Sequence, residues 1–381
     1  MFDHKNQYPV ILVPGVASYG EGASAARVAK SMGLECRLVS FGLVSGIWDR
    51  ACELYAQIFG GRVDYGEAHS KKYGHSRFGK FYSGMTAKDP EKINIIAYGF
   101  GAPVARLFID LLCNGSEEEK GATAPEELSG LFKGGNKGFV HCLVTVAGIN
   151  SGITLPLALE TKIPNFKKHC VKTAVYFENA LSNTGYIDPY YKNNELKITQ
   201  HGFSFKTVTA ENGGKIKEVI DEADVDNYLS RTEDNIFYEL GIDGMERFNR
   251  YMTSSDGTYY IAVAGSVTKD FFGKVTLPTL KAGVCAPASL LISTFENYLP
   301  EYPIVTGEYH ENDGLVNTVS SLPPVSEIAA NFKSADQCVP GVWYMLPVSE
   351  KNHLFFTGHF VRPDKYRNKV YDLIKLICNL E

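Results

Sequence analysis

Apolar positions along this chain keep two rhythms. Tyr8–Val13, Ile93–Ala97, Phe139–Ala147, Thr258–Ala264 and Val342–Pro347 are nearly uninterrupted apolar runs, which read as strands buried on both faces, and Glu35–Phe41 alternates like a strand. Between them apolar residues return at helical spacing. Ser24–Met32 and Ala102–Leu112 read as helices, as does Ile47–Phe59 with Ile47, Ala51, Leu54, Tyr55 and Ile58 on one face. Asp364–Leu380 closes the chain as an amphipathic helix, with Tyr366, Val370, Leu373, Ile374 and Ile377 aligned. This alternation predicts an α/β fold, a mostly parallel central sheet with helices on both faces. Two stretches break the rhythm. Gly60–Ser83 mixes Gly, Tyr, His and charge and reads as an irregular loop; about Leu155 to Arg250 is polar and helix-prone, with Lys172–Ala180 and Asp221–Ser230 as candidate helices. The expectation is therefore a single domain over 1–381 carrying a loop insertion at 60–85 and a helical lid at 155–250.

Composition narrows the function classes. The 381 residues are 44% hydrophobic and 21% charged, ordinary globular proportions for a core that needs no disulfide staples. A net charge of −5 offers no basic footprint, so nucleic acid is not an expected partner. The eight cysteines, at 36, 52, 113, 142, 170, 285, 338 and 378, form no CxxC pair and read as buried small hydrophobes. No apolar stretch reaches the length of a membrane span. A native start at Met1 implies a cytoplasmic protein, and a signal removed upstream implies a secreted one.

The segment Ile93-Asn94-Ile95-Ile96-Ala97-Tyr98-Gly99-Phe100-Gly101-Ala102 reads as a buried strand, a sharp turn and a helix start. That is the layout of the nucleophile elbow of α/β-hydrolases, where a serine occupies the turn. Here the turn residue is Gly99, without a hydroxyl. Ser45, Ser151 and Ser266 lie near glycines, but none follows a buried strand into a helix.

Three blocks carry a family resemblance. They are Trp48-Asp49-Arg50-Ala51-Cys52-Glu53-Leu54-Tyr55-Ala56-Gln57, continuing through Gly60-Gly61-Arg62-Val63-Asp64-Tyr65-Gly66 to His69 and His75; Glu311-Asn312-Asp313-Gly314-Leu315-Val316-Asn317-Thr318; and Asn352-His353-Leu354. Together they closely resemble the large thermoalkalophilic bacterial lipases, zinc-containing α/β-hydrolases with a helical lid. The similarity runs over nearly the whole chain and is weakest in the lid. It implies hydrolysis of triacylglycerol at a lipid interface, with Asp313 matching the family acid, His353 the base and Gly99 the serine. Val16 and Phe100 would supply the oxyanion-hole amides. The surroundings also depart: Tyr98 and Phe100 replace the family His and Gln beside the serine, and Pro14-Gly15-Val16 replaces His-Gly-Phe. Gly99, Tyr98 and Phe100, changed together, point to natural drift, since an engineered knockout usually alters one residue. Glycine at the turn also removes backbone strain of on the order of 1–3 kcal/mol.

Asp49, His69 and His75 fall in one short stretch, and two imidazoles with carboxylates suit tetrahedral zinc. The resemblance implies one zinc per chain, with Asp234 as the fourth ligand and Glu239 as its rival. Four protein ligands make the site structural. The family calcium site is not expected, because Phe355 and Phe360-Val361 stand where oxygen donors would be.

The leading expectation is thus a lipase-like hydrolase homologue without its serine, a zinc-stabilised pseudoenzyme that holds an acyl or lipid ligand or an unidentified protein partner. Two alternatives accompany it. One is an active triacylglycerol lipase or carboxylesterase, with Gly99 an engineered substitution or the nucleophile elsewhere. The other is a purely structural or interaction protein.

Overall fold

The apolar runs form the middle of one sheet. The computed structural model describes residues 5–16, 21–85, 91–184, 201–208, 217–231, 233–273, 275–297, 305–359 and 361–381. Its strands are β1 (Val10–Val13), β2 (Cys36–Leu38), β3 (Gly61–Asp64), β4 (Phe78–Tyr82), β5 (Ile93–Tyr98), β6 (Val140–Val146), β7 (Phe205–Val208), β8 (Lys217–Ile220), β9 (Tyr259–Val263), β10 (Thr268–Phe271), β11 (Val275–Pro278), β12 (Ala329–Asn331) and β13 (Trp343–Met345). Seven of them pair in the order β12-β13-β9-β6-β5-β1-β2, every pairing parallel. The protein is an α/β fold in which β5 and β6, buried at every position, lie near the sheet's centre.

Burial on both faces explains the uninterrupted apolar runs. Neighbouring residues along a strand point to opposite faces. Ile95 and Leu143 pack on one side with the helices Ile47–Phe59 and Gly101–Asn114. Ile96 and Val144 pack on the other with Ala25, Val28 and the closing helix Pro363–Cys378. All eight cysteines are free thiols, five of them buried.

The two interruptions hold more structure than their composition predicts. Gly60–Ser83, expected as an irregular loop, is an antiparallel β3–β4 pair enclosing the helix Glu67–Tyr73. Two of its glycines are helix boundaries: Gly66 at φ 94° and Gly74 at φ 70° flank that helix. Arg77 closes the unit with bidentate bonds to Asp64, 3.0 Å each. Between 155 and 250 lie the helices Leu155–Glu160, Phe166–Thr184, Glu222–Ser230, Ile236–Leu240 and Ile242–Asn249. The short antiparallel pair β7–β8 joins them, a hairpin that the sequence pattern does not announce. Val171, Val175, Phe203, Ile220, Val225 and Tyr228 form a separate small core there, closed by Val44 from the main domain.

Candidate active site and metal centre

At the end of β5 the chain turns through Gly99, at φ 48°, and enters the helix at Gly101. This left-handed turn is the elbow expected from the sequence. Gly101 must stay small, because a Cβ there would lie 2.6 Å from the carbonyl oxygens of Val13 and Pro14. The Gly99 carbonyl accepts from Ile149 N–H at 3.0 Å, tying the elbow to the loop after β6.

His353 opens the short helix His353–Thr357, capped by Asn352, whose side chain accepts from Phe355 N–H. Its Nδ1 faces Asp313 Oδ2 at 2.9 Å, which places the proton on Nδ1 and turns Nε2 outward. The backbone repeats the link, His353 N–H donating to Asp313 O at 2.9 Å. Asp313 is fully buried, and its other oxygen accepts from Leu315 and Val316 N–H at 3.0 and 2.8 Å. A Cβ placed on Gly99 would stand 3.9 Å from His353 Nε2, with nothing nearer than 3.8 Å. The fold therefore brings Gly99, Asp313 and His353 together. Two of the serines near glycine are engaged elsewhere: Ser45 donates to Glu53 at 3.1 Å, and Ser266 lies 3.2 Å from Thr268 Oγ1.

Val16 and Phe100 flank the elbow and pack in the same apolar cluster. Phe100 sends its ring inward under the Arg50 guanidinium, 5.1 Å away, rather than toward the turn. Arg50, not singled out as a site residue from the sequence, is buried. It donates to the backbone carbonyls of Ser45 at 2.8 Å, Gly42 at 3.0 Å and Gly15 at 3.1 Å. It thus anchors the exit of β1 directly before Val16.

One residue before Arg50, Asp49 enters a second cluster. Asp49, His69, His75 and Asp234 each offer one ligand atom, all within 4.8 Å of one another. His69 Nε2 lies 3.4 Å from Asp49 Oδ1 and 3.7 Å from Asp234 Oδ1. His75 Nε2 lies 3.8 Å from Asp49 Oδ1 and 3.7 Å from Asp234 Oδ2. Among the described residues His69 Nε2, His75 Nε2 and both Asp234 oxygens are buried without a hydrogen-bond partner, which is costly unless a cation gathers them. The His75 Nδ1 contact to Ser76 O, 3.0 Å, keeps the proton on Nδ1 and frees Nε2 to ligate. Two carboxylates and two imidazoles, gathered with their Nε2 atoms turned inward, fit a zinc dication.

Charge in this cluster follows its geometry. Burial would raise the Asp49 carboxyl, but the imidazoles of His75, His69 and His201 outweigh it and hold Asp49 below its ordinary range. Asp234 moves up through burial and the nearby Asp49 charge. His201, which the sequence reading missed, is wholly buried with Nε2 3.8 Å from Asp49 Oδ2, and burial pushes its imidazole down to about 3. No spacing signal links it to the other four.

The surroundings separate Asp234 from its rival. Glu239 does not join the four-atom cluster; its Oε2 accepts from Ile47 N–H at 2.6 Å and caps the helix that carries Asp49. Glu119 does the same for His69, accepting from the N–H groups of His69 at 2.8 Å and Ala68 at 3.1 Å. At the calcium position, Phe355 packs into the second core cluster beneath the Lys351 ammonium. Phe360 lies outside the described residues.

A parallel sheet whose central strand ends in a left-handed turn facing a His–Asp pair defines the α/β-hydrolase class. Within that class the chain belongs to the family described as lipase-like, C-terminal domain, whose model matches residues 6–379. Lipase 2 and lipase 1 of Staphylococcus aureus are each 26% identical over 93% of this chain. The chain spans about half the length of the curated relatives it matches, 50% and 51% respectively. Among solved structures, EstA from Clostridium botulinum is 26% identical, with a TM-score of 0.74 over 98% of this chain and 88% of that one. Lipase 1 from Pelosinus fermentans is 26% identical, with a TM-score of 0.70 over 97% of this chain and 98% of its own. The Staphylococcus hyicus lipase, at 23% identity and a TM-score of 0.75 over 98% and 97%, shares the fold.

Proposed function

We propose that this chain is a lipase-family scaffold, tied together by zinc, that receives an acyl-ester lipid but lacks the covalent route to hydrolysing it. Gly99 carries this reading: it stands at the elbow within reach of His353 and has no hydroxyl to attack with. Tyr98, Phe100 and Val16, altered in the same neighbourhood, support long-standing loss of the chemistry.

The 155–250 insertion acts as the lid in this reading. A cavity of about 400 Å³ lies within it, lined by apolar side chains such as Ile153, Leu157, Leu229, Phe237 and Ile242 together with the charged Glu160, Lys167 and Asp243. Neither Gly99 nor His353 lines it, but the loop after β6 connects Ile149, bonded to Gly99, with Ile153. A cavity of this size, apolar over much of its lining with charged groups among the rest, can take an acyl chain with a polar end. Zinc, held by Asp49, His69, His75 and Asp234, would fasten the insertion's base to the core as a closed structural site.

A second reading, an ester hydrolase, is favoured by the intact His353–Asp313 pair and by the lipase names of the relatives. In it His353 Nε2 takes a proton from water in the space over Gly99. Hydroxide adds to the ester carbonyl, and the proton passes to the departing alkoxide, leaving acid and alcohol. The test is hydrolysis of short- and long-chain p-nitrophenyl esters, with labelling by a serine-directed phosphonate. The scaffold reading expects no turnover and no label. Turnover abolished by His353→Ala without labelling supports the water route, and stoichiometric labelling of any serine overturns the scaffold reading in favour of an ester hydrolase whose nucleophile lies elsewhere.

A further inference from the structure

Beyond the four candidate ligands, the insertion sends one more imidazole to the metal centre. His201 precedes β7, and Arg231 follows the helix Glu222–Ser230. Arg231 Nη1 lies 3.2 Å from His201 Nδ1, and its Nη2 donates to His201 O at 3.1 Å. A guanidinium only donates, so His201 Nδ1 must accept. The single proton of the neutral ring then sits on Nε2, which removes that nitrogen from the list of ligands. Nε2 points instead at Asp49 Oδ2, 3.8 Å away, on the carboxylate whose other oxygen faces His69 and His75. A shift of under about 1 Å closes this contact to hydrogen-bond length.

We infer that His201 is a positioning residue of the metal centre: locked by Arg231 as the Nε2–H tautomer, it donates to Asp49 Oδ2 and turns Asp49 Oδ1 to the metal. Carboxylate ligands are commonly oriented by such outer donors, and their loss lowers metal affinity about 10–100-fold. The arm comes from the insertion, whereas Asp49, His69 and His75 come from the main domain and its 60–85 unit. Closing the insertion onto the core and orienting Asp49 are therefore one event. The inference rests on the zinc reading of the four-residue site.

The experiment measures zinc affinity by chelator competition for the wild type, Asp49→Ala, His201→Ala, His201→Gln and Arg231→Met. Nitrogen-15 NMR of the wild-type histidine rings, with and without zinc, runs alongside. His201→Ala should bind zinc about 10–100-fold more weakly. His201→Gln, whose amide N–H reaches about as far as Nε2, should recover most of that loss. Arg231→Met should weaken zinc less than His201→Ala does. The NMR should show His201 protonated on Nε2 in both states, with no zinc-induced coordination shift. Wild type that binds no zinc overturns the metal reading and this inference with it. Wild type that binds zinc while His201→Ala matches it overturns the positioning role alone, as does a coordinated or Nε2-deprotonated His201. If His201→Ala does not fold, the His201→Gln affinity and the wild-type spectra decide on their own.

Discussion

A single residue, Gly99, carries the ambiguity of this protein. At φ 48° it occupies the left-handed region, where a residue with a Cβ is strained by on the order of 1 kcal/mol. Yet the space above it is open, with His353 Cε1 the nearest atom at 3.8 Å. Gly99→Ser should therefore fold with a stability loss of on the order of 1 kcal/mol, read as a small fall in Tm. It should gain weak hydrolysis of short acyl esters and little of triacylglycerol, because Tyr98, Phe100 and Val16 differ from the residues that the family resemblance implies around the elbow. Activity that survives an added Asp313→Asn change would show that the dyad is not the engine. Most of this was legible in the sequence, since the strand–turn–helix pattern marks the elbow and local motifs mark Asp313 and His353. His201 was not, because its partners Arg231 and Asp49 are brought to it only by tertiary folding.

The helices around the site are set by buried caps more than by their own propensity. Glu239 receives Ile47 N–H at the start of the Asp49 helix, and a Cβ on Gly46 would lie 2.6 Å from Glu239 Oε2. Glu239→Gln keeps an acceptor there and should leave Tm nearly unchanged, whereas Glu239→Ala should cost about 1–3 kcal/mol in denaturant unfolding. At the far end of the sheet, burial and then the Lys92 charge depress His141 from 6.5 to about 4, and Asn6 Nδ2 lies 3.2 Å from its Nε2. The fold holds this ring neutral, so the unfolded chain binds the proton first. Its stabilising contribution should be complete above pH 6.5 and decline as pH falls toward 4. Melting curves across that range should slope downward into acid, and His141→Gln should flatten the slope. Continuous apolar runs made the inner strands visible from sequence. β12 escaped notice because Ala329, Ala330 and Asn331 are all exposed, and the 60–85 unit because helix-bounding glycines look like loop glycines.

Across the whole molecule, the candidate metal cluster draws its side chains from three parts of the chain. Asp49 belongs to the core, His69 and His75 to the β3–β4 unit, and Asp234 to the insertion. Zinc should copurify at about one per chain, and chelation should lower Tm by about 5 °C or more, with the insertion becoming protease-sensitive first. Calcium should leave Tm unchanged, since Phe355 offers no oxygen at the family position. The parallel sheet and its two apolar faces make up the half of the structure that periodicity reveals; the joints between parts depend on single polar side chains, which periodicity does not register. One of those joints reaches further. Asp49 and Arg50 leave the same helical turn, the first toward the metal and the second to the Gly15 carbonyl before Val16. Exchanging a serine for glycine at the elbow gives up one hydroxyl and leaves the backbone turn in place. A change at position 49 touches both the candidate metal cluster and, through its neighbour Arg50, the exit of β1, so a scaffold that keeps its lipid pocket keeps the two together.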